Sequence, residues 1–288
     1  MNAIEVRNLN KLYKANKVSS GFELKDVSFD LPYGCIMGLI GENGAGKSTT
    51  IKLILDIIEK DSGTIRIFGK ESPEELVLAK DDIGVVIDEP VFHDSMTGAQ
   101  INKIMRNTYT NWDEAKFFEL LERFGVERGK RFKTLSKGMK MKMSIAVALS
   151  HKAKLLIMDE PTSGLDPVIR NDIVDIFNEF TRDPQNSVLI SSHIVSDLEK
   201  LCDYVAFISR GQLLLCEEKD RLLERYAVVY CSADELAAIS EKAVKGKKES
   251  PYGVEAVVER SAIPEGMQAN PVSMEELFVL FAKEGKLK

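Results

Sequence analysis

Long apolar runs are missing from this chain. In its 288 residues no stretch approaches the roughly 18 apolar residues that a membrane span needs. Segments such as Ser144–Leu149 and Leu155–Met158 are short enough to be buried core. Histidine is scarce and scattered (His93, His151, His193), so a histidine-based metal cluster has no support. The four cysteines, Cys35, Cys202, Cys216 and Cys231, form no C-x-x-C pair and read as buried free thiols of a reducing compartment. Positive charge is not in excess either. Lys plus Arg number 39 against 45 Asp plus Glu, a net charge of −6, which argues against a nucleic-acid footprint. The opening Met1–Val6 lacks the basic and apolar regions of a signal peptide, so a cytosolic protein is expected.

What remains is the composition of an ordinary globular protein, 44% hydrophobic and 29% charged. Alternation in Ala3–Leu9 and Phe22–Leu31, with turn residues at Ser19-Ser20-Gly21, suits antiparallel strands. Cys35–Ile40 is a short apolar run that feeds a glycine-rich loop, and Ser48–Ile58 continues at helical spacing. Gly63–Phe68 and Ile83–Ile87 read as further strands. From about 95 to 150, three segments (Thr97–Thr108, Trp112–Phe124, Ser136–Leu149) carry helical spacing, which predicts a helical insertion. Strand and helix then alternate through Lys154–Met158, Asp166–Thr181, Ser187–Ser191, Ile194–Cys202 and Tyr204–Ser209, as in a parallel sheet covered by helices. The last 60 or so residues form an appendix, with strand-like Ala227–Cys231 and Gly253–Val258 and helix-like Ser273–Lys283.

Three constellations carry chemistry. Gly41-Glu42-Asn43-Gly44-Ala45-Gly46-Lys47-Ser48, followed by Thr49, fits G-x-x-x-x-G-K-[ST] between a strand and a helix. Its glycines let backbone N–H groups point inward as a nest for phosphate oxygens, and the helix adds its positive end. Lys47 would reach the β- and γ-phosphates and the Ser48 hydroxyl would ligate Mg²⁺. Asp159 ends an apolar run, where a carboxylate at the edge of a buried strand can hold Mg²⁺; Glu160 follows at once. Two adjacent acids are more often a cap or an ion pair, but Pro161-Thr162-Ser163-Gly164-Leu165-Asp166 surrounds these two. Ser136 and Gly138 stand before a helix expected to begin near Met139, a ready anion site that is otherwise an ordinary cap.

Taken together, the Gly41–Ser48 loop, Leu135-Ser136-Lys137-Gly138-Met139, and Leu155–Asp166 resemble the ATP-binding cassette (ABC) ATPases, over residues 1 to about 225. The resemblance implies an α/β P-loop NTPase core with a parallel sheet, an N-terminal antiparallel β subdomain, a helical insertion and a small α+β appendix from 226. It implies ATP and Mg²⁺ as ligands, Glu160 as the general base, and His193, after Leu189-Ile190-Ser191-Ser192, as the group that bonds the γ-phosphate and the water. It implies Tyr13 as an aromatic ring on adenine, and Asp166 as a dimer contact. Ser136 and Gly138 would meet the ATP of a second copy, in a homo- or heterodimer closed head-to-tail. Lys137 and Met139 depart from the family pattern L-S-G-G-Q. Asp88 stands where relatives usually carry glutamine near Mg²⁺, with Glu89 as a substitute if the register shifts by one. A separate membrane permease would dock around Asp88–Gln100 and fix the protein to the inner face of the membrane, with the exporter-like tail favouring export. A soluble ABC ATPase acting on nucleic acid or ribosomes is the alternative. The basic run Lys242, Lys245, Lys247 and Lys248 is expected to be a solvated loop rather than a lipid contact.

Overall fold

The computed structural model describes residues 1–14, 21–71, 75, 79–87, 91–163, 165–251 and 253–284. Three sheets organise them. β1 (Asn2–Tyr13) and β2 (Phe22–Pro32) pair antiparallel as their alternation predicts, turning Ile4, Val6 and Leu9 inward. Of the turn expected between them, Ser19 and Ser20 lie outside the described residues. β3 (Ile36–Ile40) enters the central sheet, and the helix Lys47–Ile54 follows the glycine loop. That helix stops short of the predicted Ile58, because Asp56 takes a left-handed backbone (φ 57°). β4 (Ser62–Ile67) does not join the central sheet. It adds to β1 as the third antiparallel strand.

The central sheet has six strands in the order β5-β6-β7-β3-β8-β9. β5 (Ile83–Val86), β6 (Leu155–Asp159), β7 (Ser187–Ser192) and β8 (Tyr204–Ser209) run parallel with β3, and β9 (Gln212–Glu218) closes the edge antiparallel. β6 and β7 are buried along their whole length; β6 reads as an apolar run closed by Asp159, whereas β7 has serines at both ends of Val188–Ile190. Between β5 and β6 comes the helical insertion: Gly98–Thr108, Glu114–Arg123 and Lys137–Leu149. Thr97 opens the first with a reciprocal capping box to Gln100. Ser136 caps the third, so that helix begins two residues before the expected Met139. Pro167–Phe180 and the short Val195–Glu199 cover the sheet farther along.

β10 (Tyr226–Cys231), β11 (Val244–Ser250) and β12 (Gly253–Glu259) make a small antiparallel sheet with its own apolar cluster around Val229, Ala256 and Val258. β11 corrects the expected loop at Lys242–Lys248. Its Lys245 pairs with Glu259 at 2.8 Å and Lys247 with Glu249 at 2.8 Å, so these charges are matched within the sheet. The last helix, Met274–Glu284, returns to the main core, where Phe278 and Phe281 pack on Phe207. No helix of the described residues is long and apolar enough to cross a membrane. All four cysteines are free, as expected, although only Cys202 is fully buried.

Candidate functional site

The register of the parallel sheet brings the candidate residues together. Ile40 of β3 lies beside Ser192 of β7, and Ser191 of β7 beside Asp159 of β6. One residue farther along each strand stand Gly41, His193 and Glu160. Three segments far apart in sequence therefore end at one edge, the carboxyl end of a parallel sheet, where open α/β sheets bind ligands.

The glycine loop is built for close approach. Gly46 caps the following helix with φ 114°, and a Cβ there would sit 2.9 Å from both Leu24 Cδ1 and the Phe22 ring. Thr50 Oγ1 donates to the Gly46 carbonyl at 2.9 Å, and Lys47 Nζ donates to the carbonyls of Gly41 (2.7 Å) and Glu42 (3.2 Å). Tyr13, Phe22, Asn43, Gly44, Gly46, Lys47, Ser48, Thr49, Asp159 and Glu160 line one cleft of about 560 Å³, room for a nucleotide. A groove of about 680 Å³ opens at the opposite edge, where β6 and β7 begin. Four acids and four bases are among its lining residues, with Arg123 and Glu179 paired at 3.7 Å.

Behind the cleft lies an ionic chain. Lys47, 5% exposed, stands 3.1 Å from Glu160 Oε1. The angle is that of an ion pair rather than a hydrogen bond, since Oε1 has no hydrogen-bond partner among the described residues. The other oxygen, Oε2, is 2.7 Å from His193 Nδ1. An ionised carboxylate only accepts, so Nδ1–H is the donor in this bond. Glu160 itself has φ 52°, a left-handed backbone uncommon outside glycine. Ser191 ties the pair of acids: its hydroxyl donates to Asp159 Oδ1 at 2.6 Å and accepts from the Glu160 N–H at 3.0 Å. Nothing in the sequence singles out Ser191. The only clue is its strand register.

Oxygen donors from Ser48 and one buried carboxylate, Asp159, suit magnesium, which binds through one or two protein oxygens plus phosphate. No cluster of three or more His, Cys, Asp or Glu suited to a metal occurs among the described residues. Tyr13 reaches the cleft mouth with its ring 6.4 Å from Phe22, an aromatic partner that strand alternation alone does not reveal. Ser136, Gly138 and Asp166 are not in this cleft. Ser136 Oγ accepts from Met139 N–H at 3.2 Å, and Asp166 caps Pro167–Phe180 by accepting from Val168 and Ile169. Asp88 and Glu89, like Gly164, lie outside the described residues.

A family model described as "ABC transporter" matches residues 24–163. The ABC transporter ATP-binding protein YtrB of Bacillus subtilis (strain 168) is 33% identical over 231 residues, 80% of this chain and 77% of that protein. The chain belongs to the ABC transporter family. The linearmycin resistance ATP-binding protein LnrL of the same organism is 36% identical over 227 residues, 77% of this chain and 71% of that one. A solved structure of an ATP-binding subunit of an ABC transporter overlays with a TM-score of 0.67 at 30% identity, covering 76% of this chain and 91% of that one. The chain is thus an ATP-binding cassette and an ATPase of the ABC family, and the cleft between Tyr13 and Glu160 is its candidate nucleotide site.

Proposed function

We propose that two copies of this chain, or this chain and a similar one, close head-to-tail around two ATP molecules, hydrolyse them, and so drive a separate membrane permease. The observation that carries this reading is the division of the candidate residues. Lys47, Ser48, Asp159 and Glu160 line one cleft and His193 bonds Glu160 beside it, whereas Ser136, Gly138 and Asp166 stand at helix starts away from it. A helix N-terminus with a serine cap is suited to an anion, and a second copy's γ-phosphate is the anion that head-to-tail closure would bring there.

In this scheme Lys47 exchanges the Gly41 and Glu42 carbonyls for β- and γ-phosphate oxygens, and its departure frees Glu160 Oε1. Glu160 then orients the attacking water and takes its proton, held in place by the His193 Nδ1–H. Tyr13 and Phe22 supply ring faces for the base. Magnesium held by Ser48 and Asp159 would neutralise charge on the phosphates. Residues 1–225 form the ATPase domain and 226–288 an appendix whose last helix braces it. The permease would dock near 88–100, where Val91 is half-exposed, and would hold the cassette on the inner face of the membrane. Kinship with a resistance protein supports export over import.

Lys47→Ala tests the site. It should abolish Mg²⁺-dependent phosphate release; turnover comparable to wild type would refute the assignment.

A further inference from the structure

We infer that Arg170 is a positioning residue that couples the half-site offered to a partner copy with the hydrolytic groups of the chain's own site. The inference rests on the head-to-tail reading above.

Arg170 lies in the first turn of Pro167–Phe180 and reaches a loop and a short helix at once. Its Nε donates to the Leu165 carbonyl at 3.1 Å, and its Nη1 donates to Asp197 Oδ1 at 3.4 Å. Each acceptor belongs to a different half-site. Leu165 precedes Asp166, and its buried side chain packs where a Cβ on Gly138 would lie, 3.1 Å from Leu165 Cδ2. The Leu165 backbone is thus fixed between the start of the Lys137–Leu149 helix and Arg170. Asp197 sits in Val195–Glu199, the helix that begins two residues after His193, and Leu198 anchors that helix under β3 beside Gly38. His193 in turn holds Glu160. One guanidinium therefore bridges the Leu165 and Asp197 segments, and the His193–Glu160 hydrogen bond completes the series to the cleft.

The Asp197 carboxylate is an uneconomical way to secure a helix. Its Oδ2 is buried without a hydrogen-bond partner among the described residues, and a partly exposed ion pair that leaves such an oxygen unmatched gives little net stability. What the pair fixes is position. Arginine's planar fork can hold two acceptors at set angles, and a lysine ammonium on its flexible stem cannot. Movement of Leu165 when a partner binds at Gly138 and Asp166 is then transmitted to Asp197, and so to the His193–Glu160 bond.

The test measures steady-state phosphate release against ATP concentration, together with ADP affinity, for wild type, Arg170→Gln, Arg170→Lys, Asp197→Asn and the Arg170→Gln/Asp197→Asn double variant. Turnover should fall about ten- to a hundredfold in Arg170→Gln, the effect of a small misplacement of catalytic groups. The Hill coefficient should drop from about two toward one, and ADP affinity should stay within about twofold, because the phosphate loop is untouched. Arg170→Lys should not restore turnover, and the double variant should be no worse than the single ones. Should Arg170→Gln fail to fold, the isosteric Asp197→Asn carries the test with the same expected losses. Wild-type turnover and cooperativity in Asp197→Asn, full rescue by lysine, or an ADP affinity that falls as far as turnover would each overturn the inference. Lys47→Ala in the same assay separates the two levels. If it turns over normally, the site reading itself fails; if it is dead while the Arg170 and Asp197 variants behave as wild type, only the coupling fails.

Discussion

Replacing Glu160 with glutamine changes charge and almost nothing else. The amide oxygen can still accept from His193 Nδ1, now 2.7 Å away, so the ring keeps its orientation. What disappears is a group able to take a proton from water, worth about 10²–10⁴ in rate, or about 3–5 kcal/mol of barrier. A second effect comes from Lys47. At 3.1 Å and an effective dielectric near 20, its attraction to Glu160 is on the order of 5 kcal/mol, most of it offset by the cost of burying both ions. A net gain of roughly 1 kcal/mol in the freedom of Lys47 to serve a phosphate corresponds to about fivefold tighter nucleotide binding. Glu160→Gln should therefore turn over slowly, bind ATP more tightly, and accumulate as an ATP-bound dimer. Phosphate release, calorimetry with ATP and light scattering measure the three. Turnover within threefold of wild type, or weaker ATP binding, would refute the reasoning.

Two further perturbations separate backbone from electrostatic effects. Gly46→Ala meets Leu24 and the Phe22 ring at 2.9 Å with φ at 114°, while Gly44→Ala at φ 79° points into open space. The first should reduce affinity for an ATP analogue more than tenfold, and the second should cost only the left-handed strain of about 1–2 kcal/mol; equal losses would contradict the close-approach argument. His151 is stacked on Tyr109 with ring centroids 4.0 Å apart, its ring nitrogens 3.2 Å from the carbonyls of Val147 and Ile83. Burial holds its pKa below the ordinary 6.5, outweighing those carbonyls and the nearby Asp81 and Asp82. A depressed histidine pKa means that the unfolded chain takes up the proton first. Its contribution to stability is therefore complete above pH 6.5 and lost as pH falls toward the lower folded value. Urea midpoints at pH 7.5 and 5.5 should differ less in His151→Gln than in wild type; identical pH dependence would refute this.

The parts legible in the sequence are those set by local chemistry. Glycine spacing identifies the phosphate loop, strand–helix alternation through β6 and β7 identifies the parallel sheet, and the 3.6-residue spacing identifies the helical insertion. Partners that come from elsewhere in the chain were not legible. The alternation of Ser62–Ile67 fits either sheet, and only the structure assigns it to β1. Gln212–Glu218 carries a four-residue apolar run, Leu213–Cys216, but it is a partly buried antiparallel edge strand, and nothing in that run names its partner β8. The helix Met274–Glu284 reads as part of a separate appendix until Phe278 and Phe281 are seen against Phe207. At the site, Ser191 and Phe22 matter through register and through proximity to Gly46, neither of which leaves a motif.

The central claim is that each chain carries halves of two different sites, and mixing two defective variants tests it most directly. Lys47→Ala spoils a chain's own phosphate loop. Ser136→Asp keeps the helix capped, since aspartate caps as well as serine, but turns a carboxylate toward the partner's γ-phosphate. Each variant alone should be inactive. Mixed in equal amounts, about half the dimers hold one of each, with one intact site apiece, so turnover should return to roughly a quarter of wild type. A mixture as inactive as its components, or a fully active Ser136→Asp protein, would contradict the account.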